Sequence, residues 1–180
     1  MPRRTSMARF GLAVPLAGSM AAVLSALVLG ILAWLHGHVP WAPMNATTHA
    51  LHGPGAGSFA GFDWSHTGLG TAIHFAGAFF WAAVAVALLH AVRRGSTALA
   101  WATGMGVAAL ALVVDYGLMP ARLTPGWELV LPPPAVALGF FAFGVGLSLG
   151  LAATRAVSHE IVGPAPGGDA PSSASEDGDR

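Results

Sequence analysis

Asn45, His49 and His52 stand at i, i+4 and i+7, so a helix over residues 44–52 would carry all three on one face. Imidazole is versatile at such spacing: it ligates zinc, copper, nickel or iron and exchanges a proton near neutral pH. Five of the eight histidines, His36, His38, His49, His52 and His66, fall in one segment of about thirty residues. Two further ionisable groups stand alone inside apolar runs. His74 follows His66 by eight residues, about 12 Å along a helix that rises 1.5 Å per residue, and Asp115 is the one acid of a later run.

If His74 and Asp115 face inward beneath the short helix, Asn45, His49, His52, His74 and Asp115 form a polar pocket. That pocket would suit a metal ion, a haem or a small polar ligand. The competing reading is a capping network that satisfies irregular backbone close to lipid. His36-x-His38 is spaced too closely for one helix face, and His49-x-x-His52 alone is a weak metal signature. Membrane di-haem bundles pair histidines on facing helices, whereas here only His74 lies at depth.

What positions these residues follows from composition. Charged residues make up 9% of the 180, against roughly 25% in an ordinary soluble domain, while 54% are hydrophobic and the mean hydropathy is +0.65. So few charges cannot solvate a globular surface, and the remaining solvent is lipid. A formal net charge of zero gives a nucleic-acid partner no electrostatic support. With no cysteine there are no disulfides, thiolate metal sites, Fe–S clusters or thiol catalysis.

Crossing a bilayer core takes roughly 20 apolar residues in a helix. Four segments qualify: 10–35, 68–89, 97–118 and 134–154, holding between them only His74 and Asp115 as ionisable groups. The expected fold is therefore all-α, an integral membrane four-helix bundle with a short interfacial helix on the outer side. The membrane domain spans residues 10–155, between a cytoplasmic N-terminus (1–9) and a cytoplasmic tail (156–180). From about residue 163 the tail is rich in Gly, Pro, Ser and acids and is expected to be disordered. The first apolar run is too long for a signal-peptide core, so it reads as a retained helix.

Arg3, Arg4, Arg9, Arg93, Arg94 and Arg155 flank the spans on one side and Arg122 stands alone on the other, which places both termini in the cytoplasm. Trp34, Trp41, Trp64 and Trp127 then fall at the outer interface. Gly18, Ala22, Ala26 and Gly30, and likewise Ala142, Gly146, Gly150 and Thr154, form small-residue stripes suited to close helix contact, within the bundle, in a homodimer or with another membrane protein. Arg122 and Glu128 are expected to pair across the Thr-Pro-Gly turn between them.

Asn45-Ala46-Thr47-Thr48-His49, Asp115-Tyr116 and Pro120-Ala121-Arg122-Leu123-Thr124-Pro125-Gly126 resemble motifs of a group of small four-helix bacterial membrane proteins. There the first motif more often has Ser in place of Thr48. The resemblance covers most of the membrane part, implies an inner-membrane location, and carries no activity. No nucleophile–base pair or carboxylate dyad is visible. The expected role is a non-enzymatic accessory or structural inner-membrane protein, partnered by the lipid bilayer. The alternative is a metal-, haem- or small-ligand-binding protein, or a small transporter, working through the outer pocket.

Overall fold

Lipid offers the peptide backbone no hydrogen-bond partner, so a chain that crosses it must satisfy its amides internally. The computed structural model describes the backbone over residues 3–92 and 96–161 and the side chains over 12–92 and 96–154. Among the described residues there is no strand. The fold is an all-α four-helix bundle. Its first helix is α1 (Arg3–Leu35), followed by two short helices, α2 (Ala42–Ala46) and α3 (His49–His52). The long helices α4 (Leu69–Val92), α5 (Thr97–Val113) and α6 (Pro133–Ile161) complete it. Four stretches are long and apolar enough to cross a membrane: Leu12–Leu35, Trp64–Val92, Thr97–Leu118 and Pro133–Thr154.

Helical structure extends beyond the expected spans. α1 already begins at Arg3, and α6 runs on to Ile161, past the expected end of the membrane domain at 155. Arginine, serine and alanine sustain a helix outside the apolar window, so composition marks the span and not the helix end. The second span begins at Trp64 through a π-turn, Trp64–Gly68, whose Asp63 cap accepts the His66 amide at 2.7 Å. The Arg93-Arg94 pair and the tail from residue 163 lie outside the described residues, as do the side chains of Arg3, Arg4, Arg9 and Arg155.

The long helices form a ring in the order α1, α4, α5, α6, with α1 on α6 as the closest seam and α4 on α5 as the loosest. A Cβ on Gly146 would meet Ala21 Cα and the Met20 carbonyl at 2.5 Å, and one on Gly150 would strike Ala17. The α6 stripe thus packs inside the chain. The α1 stripe turns elsewhere: Gly18 lies against Phe79 of α4, and Gly30 against the Pro40 carbonyl. On the other flank of α6, Gly104 of α5 abuts Ser148, whose hydroxyl donates to the Gly144 carbonyl at 2.7 Å. α6 is the most buried of the four, with 67% of its span window buried against 28% for each of the windows through α4 and α5. Alanine dominates one half of the core (Ala17, Ala21, Ala78, Ala82, Ala85, Ala108). Larger side chains, including Leu29, Trp127, Leu131 and Phe140, fill the half nearer the long connections.

Those connections, 36–67 and 119–133, meet at one end of the bundle, here termed the loop end. The short helix expected over 44–52 is broken at Thr47-Thr48. There the Thr48 amide bonds back three residues to the Asn45 carbonyl at 3.0 Å, and both threonine hydroxyls take back carbonyls, of Pro43 at 2.9 Å and Asn45 at 2.7 Å. Around this turn Asn45 and His52 both face the returning first connection, with the Thr48 hydroxyl between them, whereas His49 faces the second connection, so the three side chains do not converge as their spacing suggested.

Candidate functional site

Each of the three clustered residues is engaged separately. Asn45, with 0% of its surface exposed, donates from Nδ2 to the carbonyls of Phe59 at 2.8 Å and Gly61 at 3.0 Å, and accepts the Thr67 hydroxyl at 2.7 Å. It fastens α2 to the returning chain and to the start of α4. His49 is buried between the carbonyls of Ala46 and Ala121, each 3.0 Å from a ring nitrogen, and ties α3 to the second connection. Gly126, with φ +81°, passes so close to His49 Nδ1 that a Cβ there would meet it at 2.6 Å. His52 points outward. Its ring lies 4.3 Å from that of His66, which stacks in turn on Phe59 at 4.1 Å. Nearby Asp63 accepts the His66 backbone amide, which holds its carboxyl below the usual 3.8.

The expected Arg122–Glu128 pair is also replaced. Arg122 Nε donates to the Ala50 carbonyl at 3.1 Å, while Glu128 accepts Tyr116 Oη at 2.8 Å and the Thr124 hydroxyl at 2.5 Å. Neutral donors on the adjacent turn reach the carboxylate, and the guanidinium crosses to α3 to lock the two connections together. Trp127 departs from its expected place as well. It is not an interfacial indole but a core residue, 4% exposed, with its ring 5.1 Å from Phe140 and 5.7 Å from His74.

Beneath this roof lies a cavity of about 270 Å³, between α4, α5 and α6. Ile73, His74, Gly77, Ala78 and Trp81 line it from α4, Ala111 and Asp115 from α5 and the π-turn that extends it, and Phe140 and Phe143 from α6. Thr47 and Ala50 cover it from the first connection, and Leu123, Thr124, Pro125 and Trp127 from the second. Ile73 and Gly77 are exposed, so the rim opens on the outer flank of the loose α4–α5 seam. The structure therefore brings His74 and Asp115 to one cavity, and leaves Asn45, His49 and His52 out of its lining.

His74 is buried against α1. Its Nε2 lies 3.1 Å from the Ala22 carbonyl and 3.2 Å from Ser25 Oγ, and Ser25 itself donates to the Ala21 carbonyl at 2.7 Å. A ring nitrogen facing a carbonyl oxygen must carry the proton, so the neutral ring keeps Nδ1 as an acceptor. Among the described residues Nδ1 has no hydrogen-bond partner, and Asp115 has neither a hydrogen bond nor an ion pair. Trp127 Nε1 is a buried donor without a partner. Two accepting groups, His74 Nδ1 and the Asp115 carboxylate, thus stand unused at one small, largely apolar space, while Trp127 Nε1 is enclosed beyond the reach of a water-sized molecule. Among the described residues no three His, Cys, Asp or Glu side chains lie close enough to hold a metal ion.

Trp127 and the aromatic floor were invisible to periodicity, because Trp127 sits in an irregular turn and Phe140 and Phe143 read only as span residues. Together the fold and the cavity define a four-span helical membrane protein with a roofed, laterally open pocket. No family model matches the chain, and no match is found among curated proteins or solved structures.

Proposed function

We propose that the chain is a non-enzymatic binding protein of the bacterial inner membrane that takes a small molecule into the cavity between α4 and α5. The observation that carries this reading is the pair of unused acceptors, Asp115 and His74 Nδ1, at a space of about 270 Å³. An ionisable side chain within a membrane span is costly and usually faces a partner or water. The volume lies near the lower end of ligand pockets, about 300–1,000 Å³, which favours a small organic molecule over a haem. The dispersed histidines weaken the metal reading. The arginine distribution supports cytoplasmic termini and a periplasmic loop end, and the resemblance of the Asn45–His49 and Arg122–Gly126 motifs supports the inner membrane.

The absence of cysteine makes a direct test available. A single thiol at Ala111, buried but lining the cavity, should react with N-ethylmaleimide in the folded protein. One at Ala108, equally buried but in the solid alanine core, should not. If both thiols are inert until the protein is unfolded, the cavity is closed and the binding reading fails. A thiol at exposed Ser58 reads orientation, since a membrane-impermeant maleimide should label it in cells whose outer membrane has been made permeable.

A further inference from the structure

The unused groups also constrain what the cavity takes. Both of them, the Asp115 carboxylate and His74 Nδ1, can only accept when the acid is ionised and the ring neutral. A ligand that completes both must offer at least two donor hydrogens. Around them stand Trp81, Trp127, Phe140 and Phe143. Aromatic faces attract cations through the ring quadrupole, most strongly where water is excluded. A metal ion does not answer this description, because it brings no donor hydrogen and finds too few ligands. A carboxylate ligand is opposed by Asp115.

We propose that the cavity binds a small organic ammonium ion, with Asp115 as its counter-ion. The ammonium donates to Asp115 and to His74 Nδ1, and its apolar body lies among the aromatic rings. Arg122 does not pre-empt the carboxylate. It is exposed and spent on the Ala50 carbonyl, and the nearby Glu128, held by Tyr116 and Thr124, offsets its charge. No ion pair within 4.0 Å engages Asp115 among the described residues. The exposed rim at Ile73 and Gly77 gives an amphiphile a side route from the lipid. Gly77 keeps it open, since no atom lies within 4 Å of where its Cβ would be.

This inference rests on the binding reading above, and one pair of probes separates the two. 2-Phenoxyethylamine is an ammonium ion at neutral pH with an ether oxygen. Phenyl propyl ether is the same shape with a methyl in place of the ammonium. Calorimetric titration of the detergent-solubilised full chain should show the amine binding at least tenfold more tightly than the ether. Asp115→Asn, which keeps shape and removes charge, should lower amine affinity at least tenfold and leave the ether unchanged. Gly77→Phe, which fills the rim, should weaken both. If the ether binds as well as the amine, or Asp115→Asn leaves amine affinity intact, the ammonium assignment is overturned while the cavity remains a binding site. If neither probe binds although the Ala111 thiol is reactive, the ligand class is wrong. If that thiol is also inert, the binding reading falls with it.

Discussion

Replacing Asn45 by alanine tests whether the loop end is built on side-chain hydrogen bonds. Asn45 makes three of them, at 2.7, 2.8 and 3.0 Å, from a fully buried position. At about 1 kcal/mol net each, the bonds contribute about 3 kcal/mol. The partners left behind adjust this figure unequally. The Gly61 carbonyl keeps the Trp41 indole N–H at 3.0 Å, so its loss is cushioned. The Thr67 hydroxyl is buried and donates only to Asn45, so its orphaning costs about 1–3 kcal/mol by itself. The expected destabilisation is therefore about 2–4 kcal/mol. Reversible unfolding in mixed micelles, driven by an anionic detergent, gives the free energy directly. Thr67→Ala in the Asn45→Ala background should add little, because the shared bond is already gone, and the double-mutant cycle should return a coupling of about 1 kcal/mol. A loss below about 0.5 kcal/mol for Asn45→Ala would refute the reasoning, and so would strict additivity with Thr67→Ala.

Two further outcomes follow from the same geometry. Gly150→Leu should lower the detergent melting temperature sharply, because its side chain would be driven into the α1 backbone at Ala17, whereas Gly77→Ala should be neutral, having open space around it. Comparable effects from the two would mean the α1–α6 seam is not close packed. Asp63 contributes stability that is present above its unfolded pKa and is lost as pH falls through its lowered folded value, below about 3.8. Asp63→Asn should therefore melt below the parent at neutral pH and converge with it in acid, and a pH-independent gap would count against the His66 amide as the cause.

The four spans were legible because a charge-free window of twenty residues has few alternatives to a helix in lipid. The small-residue stripe through Gly146 and Gly150 was legible for the same reason, since a regular helix converts spacing into a face. The loop end followed other rules. The helix breaks at Thr47-Thr48, and His49 turns to the second connection while Asn45 and His52 keep to the first, which no spacing argument sees. Arg122 and Glu128 look like natural partners in sequence, yet each found a nearer partner in the folded chain. His74 and Asp115 were recognised as unusual from their apolar neighbours, and they do reach one cavity. The indole beside it was not, because Trp127 owes its burial to Phe140 in the following helix and to His74, which lies far back along the chain.

The glycine seam between α1 and α6 sets the order in which the protein can be assembled. Its two faces belong to α1 and α6, the earliest and latest of the four long helices in chain order, more than a hundred residues apart. At about 5–20 residues per second, α6 emerges on the order of ten seconds after the part of α1 it will meet. During that interval the Ala17 and Ala21 face of α1 has no native partner, while α4 can already settle on its other flank through Gly18 and the Ala22 carbonyl. The tightest contact of the bundle is thus the last to be made. Nascent chains halted before α6 should leave α1 open to whatever helix with a small-residue face passes by, and completion of the ring is the step that ends this exposure.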